Sequence, residues 1–416
     1  MSQPIIEKSK ISLLKKFEPL AATKGSIWLD STLSFEDRGR HSFIASEPVA
    51  EIVLTLGGTT VKSSGKTITG DSDLIWTELE RLVNDGLTAV GFISYEASLP
   101  FLNVSSKADQ LAYPLAHFFV YDKVEKIETT ESFESETNFS PATAGEVKPA
   151  ISKERFIESI LKIKEHIKEG DIYQANFTTR FEIESKSDPF EIYKNLRTLN
   201  PAPYGGYLNF GNYRVISSSP ERMFNIKNGI IKSAPIKGTI KIGATEKETA
   251  EMLATLTNSI KDKAELLMIV DLVRNDLGKI AEVGTVRVES LFKPELYSSL
   301  IHLVSDISAR LKPGTTFPQI IKALLPGGSI TGAPKKRAVE ILEQLETVPR
   351  GVYTGAIGIL NKETADFNLA IRTMVHQNGT YQIHAGGGIV ADSDPEAEYE
   401  EMRLKAKNLL KAVGCQ

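Results

Sequence analysis

Short runs rich in hydrophobic residues, separated by polar turn-forming segments, dominate roughly the first 125 residues. Examples are "EIVLTL" at 51–56 and "AVGFISYEA" at 89–97. The turn-forming segments "LGGTT" and "SSGKT" separate such stretches. Short hydrophobic runs bounded by glycine-rich turns are typical of β-strands. The pattern therefore predicts an N-terminal segment, residues 1–128, built from short strands.

A polar segment follows at residues 129–150. It is rich in Glu, Ser and Thr, poor in hydrophobic residues and interrupted by Pro141 and Pro149. This composition predicts a solvated linker or loop. After it the period changes, because Phe156, Ile160 and Ile163 recur at helical spacing between a capping Ser152 and a terminating glycine.

The remaining segment, 151–416, mixes strands and helices. Continuous helix is predicted over 246–277 and 334–345, and a last helix begins near Asp394. Strands such as "GVYTGAIGIL" and "YQIHAGGGIVA" lie between them. Because strand and helix do not alternate regularly, the pattern favours an α+β layered fold over a doubly wound parallel sheet.

Composition narrows the class of protein. The 416 residues carry a net charge of -4 and 41% are hydrophobic, as in an ordinary globular protein. The sequence has no basic stripe with interleaved aromatic residues, so a nucleic-acid partner is not expected. The longest hydrophobic runs, such as "LLMIV", are too short to span a membrane, and residues 1–20 do not have a signal-peptide pattern. With one cysteine, Cys415, the sequence offers no disulfide, and a cytoplasmic enzyme or binding protein is expected.

The segment "LLPGGSITGAPKKRAVEILEQLE" places a glycine-rich turn before a helix. Free N–H groups at such a helix start attract anions. A nucleotide-binding P-loop is disfavoured because Lys335 does not follow Gly332 directly and no Ser or Thr comes after the lysine. A carboxylate site and plain helix capping both remain open.

A second glycine cluster, Gly386, Gly387 and Gly388, comes at the end of a predicted strand. Three glycines permit close approach of a ligand to the backbone, but they also fit an ordinary bulge. Arg372 is predicted within an alternating strand, "AIRTMV". An arginine there often pairs with a carboxylate, which belongs either to a ligand or to the protein.

Acidic residues recur three apart on two predicted helices. Asp262 and Glu265 share one helix face, and Glu398 and Glu401 share another, which Lys405 continues. Two such pairs are able to hold a hard cation between them, Mg²⁺ rather than Zn²⁺, because they offer only oxygen ligands. Two solvated helix faces would show the same spacing.

Two single residues have similarly open interpretations. Lys237 lies within "SAPIKGTI", a predicted strand end, where it is either a solvated lysine or a nucleophile. His302 stands in a hydrophobic stretch, where a satisfied core histidine is the simpler interpretation.

Taken together, the motifs of residues 150–412 resemble those of the chorismate-utilising enzymes, in the same order. The N-terminal segment resembles them more loosely, through "SIWLDS" and "GRHSFIASEPV". The motifs are "DIYQANFTTRF", "SSSPERMF", "PIKGT", "AELLMIVDLVRNDLGKI", "HLVSDI", "PGGSITGAPKKRAVEI", "YTGAIG", "AIRTMV" and "AGGGIVADSDPEAEYEE".

Two positions separate the branches of this family. Anthranilate synthases carry alanine at the position of Lys237, and isochorismate and salicylate synthases carry a lysine at the position of Gln174. With Gln174 and Lys237, the chain resembles the aminodeoxychorismate synthase branch. The resemblance implies that Lys237 is a nucleophile and Glu221 an acid in the amination of chorismate. An anthranilate synthase is the main alternative, and a catalytically inactive regulatory relative is the non-enzyme one.

The resemblance also implies the fold and the other site residues. The fold would be a large antiparallel β-sandwich flanked by helices, with the N-terminal segment woven into the same body. Mg²⁺ would be bound by Glu265 and Glu401, with Glu398 beside them and Asp262 a further candidate. Substrate would contact Gln174, Thr239, His302, Thr331, Tyr353, Arg372, Gly386, Gly387, Gly388 and Lys405.

Ammonia is the second implied substrate. A glutaminase needs a cysteine nucleophile on a tight turn with a histidine partner, which Cys415 does not match. A separate glutamine amidotransferase subunit is therefore expected as partner, while nucleic acid and membrane are not.

Overall fold

A computed structural model of the chain describes residues 12–129, 139–140, 142–297 and 300–415. In these residues the strands are β1 Ile27–Asp30, β2 His41–Ala45, β3 Ala50–Thr55, β4 Gly58–Ser63, β5 Lys66–Gly70, β6 Thr88–Ile93, β7 Ala116–Tyr121, β8 Glu125–Glu128, β9 Ala144–Pro149, β10 Gln174–Ser185, β11 Tyr204–Asn209, β12 Tyr213–Ser219, β13 Arg222–Lys227, β14 Ile230–Ala234, β15 Ile236–Lys241, β16 Arg287–Leu296, β17 Leu300–Arg310, β18 Gly332–Ala333, β19 Ala356–Leu360, β20 Thr364–Leu369, β21 Thr373–Gln377 and β22 Thr380–Ile389.

The α-helices of the same residues are α1 Leu13–Phe17, α2 Leu74–Asn84, α3 Lys153–Lys168, α4 Pro189–Leu199, α5 Glu246–Asn258, α6 Ile260–Ile280, α7 Phe317–Leu324, α8 Lys335–Leu345 and α9 Pro395–Val413. Short 3₁₀ helices occupy Glu18–Leu20, Glu96–Leu102, Ala108–Gln110 and Gly328–Ile330.

Two large antiparallel sheets form the body, which confirms the predicted fold class. The first runs in the order β18-β10-β22-β21-β12-β11-β1-β2-β8, with β9 also on β10. The second runs β15-β17-β14-β13-β20-β19-β6-β7-β3-β4-β5, with β16 also on β17. Hydrophobic side chains from both, including Phe92 and Phe119 of the second sheet and Leu208 and Val215 of the first, pack in one cluster. The sheets therefore share a common core.

Helices cover the two sheets separately. Helices α3, α4 and α9 pack together over the first sheet, where Phe156, Phe177 and Met402 share a hydrophobic cluster. Helices α2, α6 and α7 cover the second sheet, where Trp76, Ile269 and Phe317 belong to another cluster. Each sheet thus has a helical layer that excludes water from the side chains beneath it.

The N-terminal segment contributes to both sheets. Strands β1, β2 and β8 extend the first sheet through the pairing of β1 with β11, and β3 to β7 extend the second through the pairing of β6 with β19. The linker interpretation is wrong for Ala144–Pro149, which form β9 against β10. The rest of that segment lies partly outside the described residues, at 130–138 and 141.

Local signals placed several helices correctly and one incorrectly. Ser152 caps α3 by accepting a hydrogen bond from the Arg155 N–H, as its position predicts. The continuous helix predicted over 246–277 is wrong, because it is two helices that break at Ser259. No helix in the described residues is long and hydrophobic enough to cross a membrane.

Candidate active site

Lys237 lies in β15 at an irregularity of the strand. The register against β17 shifts between Lys237 and Thr239, and the intervening Gly238 has φ +73. That φ favours glycine, and a Cβ there would also meet the Asp262 side chain at 3.0 Å. Gly238 therefore forms a bulge within the strand rather than closing it, and bulges of this kind redirect neighbouring side chains.

The ammonium of Lys237 points towards the first sheet. A Cβ built on Gly388 of β22 would lie 2.9 Å from Lys237 Nζ and 2.5 Å from Gln174 Nε2. Gln174 is fully buried, and neither polar atom of its amide has a hydrogen-bond partner among the described residues. Buried polar groups are rarely left unpaired, so the amide is available to a ligand.

The environment of Lys237 lowers the pKa of its amine. Burial lowers the pKa of Lys237, although the nearby carboxylates Glu265, Glu221 and Glu401 act in the opposite direction. Lys405 adds a repulsive positive charge that lowers the pKa further. A lowered pKa is the shift that an amine nucleophile requires, because only its neutral form attacks.

Glu221 is a buried acid beside this lysine. It lies between β12 and β13, and its Oε1 accepts a 2.8 Å hydrogen bond from the Ser329 hydroxyl. Burial raises the pKa of Glu221 to about 7, even though Ser329 and the charge of Lys237 act to lower it. At neutral pH this carboxyl is partly protonated and able to act as a general acid.

His302 is packed into the same wall. Its Nδ1 lies 2.9 Å from the Thr239 hydroxyl, and its ring makes an edge contact with Tyr297 at 4.7 Å between centroids. Burial lowers the pKa of His302 to about 4, with further lowering from the charge of Arg372. The imidazole is therefore neutral near pH 7, as expected of either a core histidine or a hydrogen-bonding ligand contact.

Basic groups gather near the glycine cluster. Lys405 donates a 3.1 Å hydrogen bond to the Gly386 carbonyl and pairs with Glu401 at 2.7 Å. Arg372 donates to the Lys405 carbonyl at 3.1 Å. The prediction that Arg372 lies within a strand is wrong, because it precedes β21 in a bend with φ +52.

Thr331 and Tyr353 are both buried. Thr331 lies between the Gly328–Ile330 turn and β18, and its hydroxyl donates to the Gly327 carbonyl at 2.9 Å. Tyr353 stacks on His384 at 5.3 Å, and burial raises the pKa of Tyr353 to about 12. The charge of Arg372 acts to lower the pKa of Tyr353. Arg372 and Tyr353, both predicted substrate contacts, therefore lie near each other.

The acidic residues come together from α6 and α9. Burial, followed by the charges of Asp262 and Glu398, raises the pKa of Glu265 against the effect of Lys237. Glu398 is 8% exposed and accepts a 2.6 Å hydrogen bond from Ser393, whereas the Glu401 side chain is 56% exposed. These carboxylates repel one another, and a divalent cation would relieve that repulsion, so the donor set fits Mg²⁺.

The carboxylate oxygens of Glu265, Glu398 and Glu401 do not all lie within 4.8 Å of one another among the described residues. The three-residue group of the described chain whose ligand atoms all lie within 4.8 Å of one another is instead His166, Glu169 and Asp171. Asp171 there is bound by the Arg337 guanidinium at 2.8 Å, which is a poor setting for a cation.

Several of the predicted residues thus lie near Lys237, and they come from both sheets and both helical layers: Gln174, Gly388, Glu221, Glu265, Glu401 and Lys405. Ser329 was missed by the sequence reasoning, which saw only a glycine-rich turn in "PGGSITG". A hydroxyl within a turn that precedes a helix gives no sequence signal of its long-range hydrogen bond to Glu221.

Comparison with known proteins identifies the family of the chain. Residues 29–411 match the family model described as chorismate binding enzyme. The chain therefore belongs to the chorismate binding enzyme family.

Relatives within the family carry two different names. An anthranilate synthase component 1 from Acetivibrio thermocellus is 45% identical over 264 residues, 63% of this chain and 53% of that protein. The chain thus spans about half the length of that relative. An aminodeoxychorismate synthase component 1 from Bacillus subtilis is 32% identical over 97% of this chain and 95% of its own length.

Solved structures show the same fold. Anthranilate synthase component I from Streptococcus pneumoniae superposes with a TM-score of 0.78 at 30% identity, covering 98% of this chain and 99% of that one. A putative 2,3-dihydroxybenzoate-specific isochorismate synthase from Bacillus anthracis gives a TM-score of 0.75 at 18% identity, over 97% and 100%. The second likeness concerns the fold alone.

Proposed function

We propose that the chain aminates chorismate with ammonia to give 4-amino-4-deoxychorismate, the precursor of para-aminobenzoate and folate. The observation that carries this proposal is the position of Lys237. Its amine lies beside Gly388 and the unpaired Gln174 amide. Glu221, which is able to carry a proton, lies close enough to act on the pKa of Lys237. An elimination to anthranilate has no need of such a nucleophile.

The lysine solves a stereochemical problem. Direct replacement of the hydroxyl on ring carbon 4 by ammonia with retention of configuration is difficult. In the proposed route, the neutral Lys237 amine attacks carbon 2, the double bonds shift, and the bond between carbon 4 and oxygen breaks. Ammonia then attacks carbon 4, the double bonds shift back, and Lys237 leaves carbon 2 as a free amine.

Glu221 acts in the first of these steps. Its carboxyl gives a proton to the departing hydroxyl, which leaves as water, and the carboxylate remains. The hydrogen bond from Ser329 holds Glu221 Oε1 in place throughout. A pKa near 7 lets the group be protonated at the start of each cycle.

The remaining residues bind and orient the substrate. Arg372 and Lys405 offer positive charge for the carboxylates of chorismate, and Tyr353, Thr331 and the glycine cluster shape the space around them. His302 and Thr239, whose side chains contact each other at 2.9 Å, would contact a ring hydroxyl. Glu265 and Glu401, with Glu398, would hold Mg²⁺, which when bound neutralises a substrate carboxylate and withdraws electrons from the ring.

We further propose that a separate glutamine amidotransferase subunit supplies the ammonia and that the reaction takes place in the cytoplasm. The "component 1" in the names of the relatives supports the first point. The sequence has one cysteine and so no disulfide within the chain, which agrees with the proposed location in the reducing cytoplasm. If the purified chain alone used glutamine as well as ammonium, the partner proposal would fail.

An anthranilate synthase is the second candidate, because the 45% identical relative carries that name. Product identity separates the two. The pure chain is incubated with chorismate, Mg²⁺ and ammonium, with and without aminodeoxychorismate lyase, beside Lys237→Ala. Lys241→Ala is the matched control, since Lys241 is an exposed lysine of the same strand.

The expected result is para-aminobenzoate only when the lyase is present, lost in Lys237→Ala and retained in Lys241→Ala. Loss of about a thousandfold or more is expected, because the covalent route has no substitute nucleophile. Anthranilate formed without the lyase would overturn the proposal and assign the chain to the other branch.

A further inference from the structure

A small cavity lies against Glu221. It measures about 30 Å³ and is lined by residues that include Glu221, Ser329, Ser233, Val273 and Asp276. This volume holds about two water molecules. Neither Lys237 nor Gln174 is among the described residues that line it, so the cavity is separate from the space between those two side chains.

Asp276 connects this cavity to the surface. The residue is only 4% exposed, yet its carboxylate pairs with Lys335 at 2.5 Å and with Lys279 at 2.8 Å. The Lys335 side chain is 11% exposed, while that of Lys279 is 54% exposed. A charged hydrogen-bonding path therefore runs from solvent at Lys279 to the wall of the cavity.

The proposed reaction requires a proton at this place. In each cycle Glu221 gives its proton to the departing hydroxyl, and the incoming ammonia becomes an ammonium group on carbon 4. An aliphatic ammonium has a pKa of about 8 or higher, above that of Glu221, so it keeps its proton when the product leaves. The Glu221 carboxylate must then take a new proton from solvent before the next cycle.

We propose that water in this cavity carries that proton. Asp276 is a positioning residue in this path, because it holds the water between Glu221 and the solvent-exposed Lys279. A cavity water would give a proton to the Glu221 carboxylate, directly or through the Ser329 hydroxyl, and recover one from water beside Asp276. No other bond changes. The direction of proton flow rests on the proposed function, whereas the existence of the path does not.

The simpler interpretation is that Asp276 only anchors the start of α8 through Lys335. Two variants separate these interpretations. Asp276→Asn keeps the shape of the side chain but removes its charge, and Val273→Ile adds one methylene to the cavity wall and displaces water without touching the ion pairs. Asp271→Asn is the control, as an exposed aspartate on the same helix paired with Arg274 at 2.7 Å.

The first readout is consumption of chorismate, which does not depend on which product forms. Both cavity variants are expected to lower kcat and KM for chorismate together by about tenfold, since the slowed step follows product release, and to show a larger rate difference between H₂O and D₂O. The control is expected to behave as wild type. A merely structural role for Asp276 would lower the thermal unfolding temperature of Asp276→Asn but leave kcat of Val273→Ile at the wild-type value.

The second readout needs no turnover. The infrared carbonyl band of protonated Glu221, identified by its loss in Glu221→Gln, is followed after transfer from H₂O to D₂O at mildly acidic pH. Burial also raises the pKa of Glu96 to about 7, so its band serves as an internal reference. The path would be supported if the Glu221 band exchanged more slowly in both cavity variants while the Glu96 band exchanged at the wild-type rate. Exchange as fast as in wild type would overturn it. If the wild type consumes no chorismate, the proposed function fails, and the exchange result still decides whether the cavity conducts protons.

Discussion

Two buried carboxyl groups show how one physical cause serves different ends. Burial raises the pKa of both Glu96 and Glu221 to about 7. Glu96 accepts backbone hydrogen bonds from Arg350 at 2.7 Å and Gly351 at 2.9 Å, which fixes the turn before Tyr353. Glu221 has a single side-chain partner, Ser329, and lies beside Lys237. The first is a structural group, whereas the second is the proton donor of the proposed reaction.

Stability should fall as pH rises, in part because of Glu96. Its carboxyl titrates near 4.5 when unfolded and near 7 when folded, so between these values the folded chain binds a proton that the unfolded chain has lost. The contribution is fully present below the unfolded value and falls by about 3 kcal/mol by neutral pH. We expect Glu96→Gln to flatten this part of the pH dependence, as measured by urea unfolding between about pH 4 and pH 8.

Glu251→Gln, at an exposed position, is the control for Glu96→Gln. Glu221 contributes in the same direction and remains in both variants, so some decline should persist. Equal slopes in Glu96→Gln and wild type would contradict the assignment to Glu96.

Single residues could be identified from the sequence better than their environments. Lys237, Glu221 and Gln174 were found because they lie in recognisable motifs. Their burial comes from segments distant along the chain, such as Gly388 against Lys237, and so their pKa values could not be predicted. Arg372 was placed within a strand because its neighbours alternate, but its positive φ depends on the tertiary structure.

At the scale of elements, the three glycines of β22 face three different surroundings. A Cβ on Gly386 would lie 2.2 Å from the Phe177 carbonyl of the neighbouring strand. On Gly387 it would meet Glu398 Oε2 at 3.3 Å and Lys405 Nζ at 3.5 Å. On Gly388 it would displace the ends of the Gln174 and Lys237 side chains. Strand pairing therefore requires the first glycine, and the site requires the third.

Alanine substitutions should separate these roles. Gly386→Ala is expected to lower the free energy of unfolding by about 1–3 kcal/mol or more, because backbone cannot move aside easily. Gly388→Ala is expected to keep most of the stability but lose about a hundredfold in kcat, because it displaces Lys237, the proposed nucleophile. Gly387→Ala should change both less, serving as the control within the strand. Thermal unfolding and chorismate turnover measure the two effects, and equal activity in Gly388→Ala and Gly387→Ala would contradict this assignment.

Element boundaries could be predicted where a local signal exists. Helix α3 has a capping serine and a terminating glycine, and its predicted range agrees with the structure. Strand β9 has a polar sequence that predicts a linker, but it is held by backbone pairing to β10. The break at Ser259 was missed because a serine within a helical pattern does not by itself signal an end. There the Ser259 side chain caps α6 by accepting from the Asp262 N–H.

On the scale of the whole molecule, the shared sheets predict one cooperative unit. Trp28 in β1 reports on the first sheet, and Trp76 in α2 reports on the second; they are the two tryptophans of the chain. In Trp28→Phe and Trp76→Phe, the fluorescence of the remaining tryptophan should therefore change at the same urea concentration as the far-ultraviolet circular dichroism of that variant. A fluorescence transition well before the circular dichroism transition in either variant would mean that the N-terminal segment unfolds independently.

The pairing of β6 with β19 has a consequence for how the protein is made. Residues 88–93 leave the ribosome long before residues 356–360, since synthesis proceeds at about 5–20 residues per second. One edge of β6 therefore stays without its native neighbour for tens of seconds in every new chain. During that interval the nascent N-terminal segment presents an open strand edge to other chains. Protection of this edge by chaperones, rather than the stability of the finished protein, would then limit the yield of folded protein.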